Sequence, residues 1–308
     1  AIGYSALTSE TTGLGSTAVG YKALNNQNVA GGSNTQNTAI GYNSCALIAS
    51  ATLNTAVGAL SLDAEVNGHR NTAVGYAALS TQQSGTSNNT SNTAMGFHAG
   101  VNVTSGYHNT LIGSEAGDGI SSGYGNTVLG FNADVGGGGA IGRIAIGTQV
   151  VCNSHQRITV GYGSNTASLE LDGSDESWAA NSDERLKENI VDSTAGLSFI
   201  NDLRPVTYNW KKAKDIPTDL PQYVEGSEDP CLGYEYGKEL HGFIAQEVKT
   251  AIDNHSEVKD GQAIWRTDET TVQTLAPGAL VPMLVKSIQE LSAEVTALKA
   301  EVAALKGE

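Results

Sequence analysis

Asn71-Thr72-Ala73-Val74-Gly75-Tyr76 is one copy of a phrase that returns, with small variations, at Asn37, Asn54, Asn92, Asn109 and Asn126. Thr, Ala and Val in a row favour a short strand. The Gly marks a bend or a close backbone approach, and the Asn, Ser, Thr and Gly that follow read as a polar corner. The glycines keep the beat: Gly3, Gly20, Gly41, Gly58, Gly75, Gly96, Gly113, Gly130, Gly147 and Gly161 lie 17, 21, 17, 17, 21, 17, 17, 17 and 14 residues apart, so two steps carry a four-residue insertion. A unit this small cannot bury an apolar face alone. Stacking lets each strand pair with the next and lines up Val, Ile and Leu inside, which predicts a β-solenoid or a triple-stranded β-helix. Only 6% of the chain is aromatic, so the interior is narrow. A coil so thin gains by winding with copies of itself, and a homotrimer is expected.

The repeat stops near position 180, where the composition also changes. Up to Asn181 there are four basic residues (Lys22, Arg70, Arg143, Arg157) and ten acidic ones, against thirteen and twenty-two in the shorter remainder. Two units with separate interiors follow. The net charge of -15 lacks the clustered Lys and Arg that phosphate neutralisation needs, so nucleic acid is not an expected partner. Cys45, Cys152 and Cys231 are odd in number and far apart, which predicts free thiols rather than a disulfide framework or a zinc site. No apolar run reaches bilayer length, so no membrane insertion is expected, and the opening Ala-Ile-Gly-Tyr is neither an initiator Met nor a signal peptide. The chain reads as the end of something longer.

Three further constellations are weighed within the repeat. The Gly-rich stretch from Val135 to Gly142 lacks the Gly-Lys-Ser/Thr ending of a phosphate loop and reads as a local interruption of the stack. His69, His98, His108, His155, His241 and His255 have no metal-ligand spacing; surface or packing roles are expected, with neither metal nor cofactor. Exposed carboxylates such as Asp63, Glu65, Glu115 and Asp118 would have to pair across coils to act as a glycosidase, and spacing along the chain cannot give the separation such a pair needs.

The only chemistry that stands out lies in Asn181-Ser-Asp-Glu-Arg-Leu-Lys-Glu-Asn-Ile190. Read plainly, Ser182 is a helix N-cap with Asp183 and Glu184 in the first turn. The alternative is an activated nucleophile, Ser182, with Lys187 five positions on as its base. That pair requires Ser182 in the loop before the helix, with Lys187 reaching back. A lysine with a reference pKa near ~10.4 is a poor base at neutral pH unless burial disfavours its charge, and assembly is the event expected to supply that burial.

Downstream, the apolar positions between Leu186 and Leu203 are compatible with a helix that Ser193 to Gly196 breaks. Val206 to Trp210 alternates like a strand, and Gly233 to Val248 suggests a second strand leading into a helix at Ala245. Lys214 to Glu239, with Pro217, Pro221 and Pro230, reads as a long excursion. At the end, Leu284, Ile288, Leu291, Val295, Leu298, Val302 and Leu305 form a heptad seam, with Glu294 and Glu301 facing Lys299 and Lys306 of a parallel partner. β-branched residues at a with Leu at d favour two strands in isolation, which stands against the trimer expected from the shaft.

About positions 1 to 165 resemble the shafts of bacteriophage tail fibres and the head repeats of trimeric bacterial adhesins. From Ser182 onward, Ser-Asp-Glu-Arg-Leu-Lys-Glu-Asn-Ile, Leu203-Arg-Pro-Val-Thr-Tyr-Asn-Trp210 and His241-Gly-Phe-Ile-Ala-Gln-Glu-Val248 are similar, in order, to three blocks of the endosialidase-type C-terminal intramolecular chaperone. The resemblance implies a domain that trimerises, nucleates folding of the shaft before it, and then cuts itself off with Ser182 as nucleophile and Lys187 as base. The cleavage junction is Asn181, Ser182 and Asp183, on a side left open.

The expected organisation is an all-β trimeric solenoid or triple β-helix shaft over 1–165 and a linker over 166–181. A smaller α+β chaperone follows over 182–308, ending in a coiled coil over about 278–306. The expected function is a phage tail-fibre shaft for host attachment, carried on the virion, with a single-turnover Ser-Lys peptidase at its end. Its partners would be two copies of itself, a host receptor or glycan, and upstream fibre domains or a baseplate. The alternatives are a trimeric surface adhesin and a glycan-degrading spike.

Overall fold

The structure, a computed structural model, describes residues 1–29, 34–85, 89–172, 178–232, 237–267 and 272–306. The chain divides into two compact units, Ala1–Leu186 and Lys187–Glu308.

The first unit is a β-solenoid. Three-residue strands β1 (Thr17–Val19), β2 (Thr38–Ile40), β3 (Thr55–Val57), β4 (Thr72–Val74), β5 (Thr93–Met95), β6 (Thr110–Ile112) and β7 (Thr127–Leu129) stack in parallel, Thr on Thr and middle residue on middle residue. After β8 (Asp134–Val135), the stack continues through β9 (Ile144–Ile146). Then come β10 (Val151–Cys152), which pairs in parallel with β8, and β11 (Arg157–Tyr162), which pairs in parallel with β9. All these pairs lie within one chain, so the architecture is a single-chain solenoid rather than a triple-stranded helix.

The interior differs from the expected row of Val, Ile and Leu. In a strand, neighbours point to opposite sides. Here the middle residue is the one turned inward: Ala18, Ala39, Ala56, Ala73, Ala94, Leu111, Val128 and Ala145 are buried, whereas Ile40, Met95 and Leu129, at the third position, are exposed. The larger inward groups come from the corners, among them Leu24, Ile48, Leu62, Leu79 and Ile120, each buried and each contributing roughly 2 kcal/mol. The glycine after each strand faces inward again and touches its counterpart in the next coil. A Cβ on Gly20 would come within 2.4 Å of the Gly41 carbonyl oxygen, and its φ of +133° already excludes most side chains.

A second column holds the coils together from within. Asn37, Asn54, Asn71, Asn92, Asn109 and Asn126 are buried. The backbone N–H of Asn71 donates to Asn54 Oδ1 at 2.9 Å, its Nδ2 donates to the same oxygen at 3.1 Å, and Asn92 N–H donates to Asn71 Oδ1 at 2.9 Å. Seventeen-residue steps repeat this pattern. At the two 21-residue steps the amide link gives way to a glutamine, with Asn37 Nδ2 donating to Gln27 Oε1 at 2.7 Å and Asn92 Nδ2 to Gln82 Oε1 at 3.0 Å. Each glutamine in turn donates to a glutamate 17 residues before it, Gln27 to Glu10 and Gln82 to Glu65. The stretch from Gly58 to Gly113 therefore repeats, 55 residues on, the arrangement from Gly3 to Gly58.

The Gly-rich stretch does not interrupt the stack. It occupies an ordinary 17-residue coil, and Gly138 O accepts N–H bonds from Ser121, Ser122 and Gly123 of the coil before, a crowding that absent side chains allow. Within 166–181, expected to be a linker, the described residues include two strands of the sheet, and residues 173–177 lie outside the described residues. β12 (Asn165–Glu170) pairs antiparallel with β11, and β13 (Ala179–Ala180) pairs antiparallel with β12, ending the parallel stack.

The second unit is smaller and mixed. It contains α1 (Leu197–Asn201), β14 (Val206–Tyr208), β15 (Leu240–Gly242), α2 (Ala245–Asn254), α3 (Ser256–Lys259), β16 (Trp265–Thr267), β17 (Gln273–Leu275) and the 26-residue α4 (Val281–Lys306). Phe199, Val248, Ile252, Val258, Ile264 and Leu280 form its core. The helix expected between Leu186 and Leu203 is confined to α1. Its first N–H, on Leu197, donates to Glu290 Oε2 of α4 at 2.7 Å, and a Cβ on Gly196 would lie 2.4 Å from that carboxylate. The excursion after β14 is fastened at its base, where Ala213 N–H donates to Asp229 O and Cys231 N–H to Lys211 O. The strand expected from Gly233 is seen only as β15; residues 233–236 lie outside the described residues.

Candidate self-cleavage site

β13 delivers the chain to Asn181, whose Nδ2 donates to Ser164 O, in the turn between β11 and β12, at 3.2 Å. The sheet thus holds the residue before Ser182. On the other side the backbone makes a single 3-10 turn, Glu184–Leu186, closed by Leu186 N–H donating to Asp183 O at 3.1 Å. Asp183 supplies a capping side chain: its Oδ1 accepts the Arg185 N–H at 2.9 Å, and its carboxylate grips the Arg185 guanidinium. The guanidinium, then the N–H, hold this carboxyl below its usual range. A shorter turn replaces the expected helix because two residues on, at Arg185, Asp183 finds both partners it needs.

Ser182 and Lys187 are both exposed. Ser182 lies in the first unit and Lys187 opens the second. The burial expected to make Lys187 a base is therefore absent from the single chain.

Of the other carboxylates, Glu65 serves structure. Glu65, expected to be exposed, is fully buried. It accepts N–H bonds from Val66, Asn67, Gly68 and Ser84, the Ser84 hydroxyl at 2.9 Å and Gln82 Nε2 at 3.0 Å. Asp63, Glu115 and Asp118 are half-buried. Sequence reading missed this cluster, whose signal is Glu-x-x-Gly followed by Gln 17 residues after the Glu, at Glu10 and again at Glu65. His69 and His155 tie neighbouring coils, His69 Nδ1 accepting the Thr52 N–H at 2.9 Å. Cys45 and Cys152 are buried free thiols, and burial pushes the Cys45 thiol up.

Two of the three sequence blocks meet in the second unit. β14, from the Leu203 to Trp210 block, pairs antiparallel with β15, which enters the His241 to Val248 block, with Thr207 opposite His241. Arg204 donates from Nε to Glu247 Oε2 at 2.9 Å, joining the same blocks again. Residues 182–257 match the family model described as chaperone of endosialidase. This segment is an endosialidase-type chaperone. The family is a peptidase family, which implies a self-cleaving domain. No curated protein and no solved structure matches the chain.

Beyond the matched segment of the chaperone, α4 carries the heptad seam in the open. Ile288 is 66% exposed, Leu298 58% and Leu305 87%, so the apolar stripe of the single chain has no cover. His255, at the end of α2, is largely covered. Its Nε2 bonds Asp202 Oδ2 at 2.8 Å and its Nδ1 bonds Glu257 Oε1 at 2.9 Å, and the two carboxylates raise its pKa.

Proposed function

We propose that this chain is the shaft of a phage tail fibre, used for host attachment, whose C-terminal chaperone drives trimerisation and folding and then releases itself by autoproteolysis. The observation that carries the reading is the chaperone segment beginning directly after the last strand of a repetitive solenoid. A surface adhesin accounts for the coils but not for a self-cleaving chaperone. A glycan-degrading spike needs an acidic pair open to substrate, whereas Glu65 is enclosed by donors.

In this reading Lys187 Nζ, neutral once packing between chains has removed it from water, takes the proton of Ser182 Oγ. The oxygen then attacks the carbonyl carbon of Asn181. That attack closes a five-membered ring, whereas attack by the same hydroxyl on its own carbonyl would close a strained four-membered one. The Asn181–Ser182 amide breaks as its nitrogen takes the proton, and water hydrolyses the resulting ester. The exposed seam of α4 supports self-association, and the finished fibre lacks the chaperone.

Intact-mass analysis of freshly expressed protein is the test. Wild type is expected to give two fragments that meet at the junction of Asn181, Ser182 and Asp183, and Ser182→Ala and Lys187→Ala a single full-length mass each. A variant that still splits there removes its residue from the mechanism.

A further inference from the structure

Outside the solenoid, the strand alternation that puts Ala within puts two residues of every coil without: the third strand residue and, past the glycine, the one after it. The first column runs from Ile2 and Val19 through to Val160, one rung per coil, and the second from Tyr4 to Tyr162. Neither column contains a charged residue, in a chain of net charge -15. Some rungs stand open, with Ile40 39% and Tyr42 53% exposed, Met95 and Phe97 47% each, Leu129 44% and Phe131 50%, whereas Val19, Val57, Val74, Ile112 and Ile146 are half-buried. At a strand spacing of ~4.8 Å, ten rungs make an apolar strip roughly 45 Å long. A monomer does not leave such a patch in water without an occupant.

We infer that this strip is the surface by which the shaft of one copy packs against the shafts of its partners, and that it keeps the copies together after the chaperone has gone. The inference rests on the proposed reading of a self-associating, self-cleaved fibre.

The column's rings are partly stacked. They stack on one another along the shaft, Tyr4 on Tyr21 at 5.3 Å and 11°, Tyr21 on Tyr42 at 5.2 Å and 9°, Tyr76 on Phe97 at 5.6 Å and 14°. Within these pairs each ring covers one face of the next, and Ala59, Ser114 and Thr148 separate the remaining rings of the column. The occupant must present apolar groups at the same rise over ten rungs, and a second copy of this chain does so by construction. Like-charged copies that approach elsewhere would repel; along the strip no acid has to be desolvated.

The test uses the full self-cleaving chain with Cys231→Ser, which leaves Cys45 and Cys152 buried. One variant adds Met95→Cys on the strip, another Ser105→Cys, exposed elsewhere on the following coil. A short bismaleimide is expected to link the released shaft into dimers and trimers at position 95, at least ten times more than at 105. Ile40→Asn, Met95→Asn and Leu129→Asn together leave every inward residue in place. They should allow cleavage but turn the released shaft from trimer to monomer in light scattering. Linking at 105 and not 95, or a wild-type shaft that falls to monomers once cut, overturns the inference. So does a monomeric shaft that binds bacterial capsular polysaccharide and loses that binding in the triple variant. Failure of the parent chain to cut itself would count against the proposed function alone, because linking in the uncut chain still decides the strip.

Discussion

Asn71 satisfies three neighbours at once: its Oδ1 accepts Asn92 N–H and the Thr90 hydroxyl, and its Nδ2 donates to Asn54. Asn71→Ala strands the buried Asn92 N–H, while the Thr90 hydroxyl keeps the His69 carbonyl and Asn54 Oδ1 keeps the backbone N–H of residue 71, so a loss of about 1–3 kcal/mol is expected. Denaturant unfolding of the shaft measures it. The repetition of this Asn is plain in the sequence; its inward direction is not, because an Asn before a strand serves equally well as an exposed turn residue. His255 sets a pH dependence. Its folded pKa is raised above the ordinary value by Asp202, then Glu257. The stabilisation is therefore fully present below about pH 6.5 and is lost as pH rises through the raised value. Unfolding of the C-terminal unit followed from pH 6 to 9 should show this decline in the wild type, and a flatter course in His255→Gln.

At the scale of elements, α4 was the most legible part of the chain, since a heptad seam is a long periodic signal that nothing local disputes. α1 was the least legible. A five-residue helix has little periodicity, and what starts it is Glu290, 93 residues away from Leu197. Glu290→Ala removes that tertiary cap and should cost about 1 kcal/mol. Gly196→Ala should cost a similar amount by pushing the carboxylate off Leu197, and a double variant should cost little more than either alone; thermal unfolding of the three resolves this. The two blocks around β14 and β15 were visible as similarities, but their meeting through Arg204 and Glu247 belongs to three dimensions. For the exposed seam, Ile288→Asp with Leu298→Asp is expected to abolish assembly and, with it, self-cleavage. Light scattering and a denaturing gel read the two effects together, and a cleaved monomer would separate cutting from assembly.

For the whole molecule, the difficulty is starting. Non-glycine residues in the left-handed region recur at the corners, among them Lys22 and Leu24, Asn43 and Cys45, Leu60 and Leu62, Ala77 and Leu79. Each costs about 1 kcal/mol, recovered only when the next coil is laid down. An isolated coil is therefore unstable and every register resembles its neighbours, the situation in which a trimeric nucleus at one end matters most. Residues 1–181 expressed alone are expected to give aggregates or monomers where the full chain gives trimers, as sedimentation would show. The repeat announced the solenoid because its period is long and punctuated by glycine. It misplaced Val and Ile because a period of two does not say which face is inside, and the size of Ala and Gly answers that only once the coils are seen to touch. The twofold recurrence of a 55-residue cassette, each with its own Glu and Gln, has a bearing on heredity. Duplicating or deleting one cassette in frame would change the reach of the fibre by three rises, roughly 14 Å, without altering any join. Length in this lineage can then evolve by copying, in whole increments, and at little risk to what lies on either side.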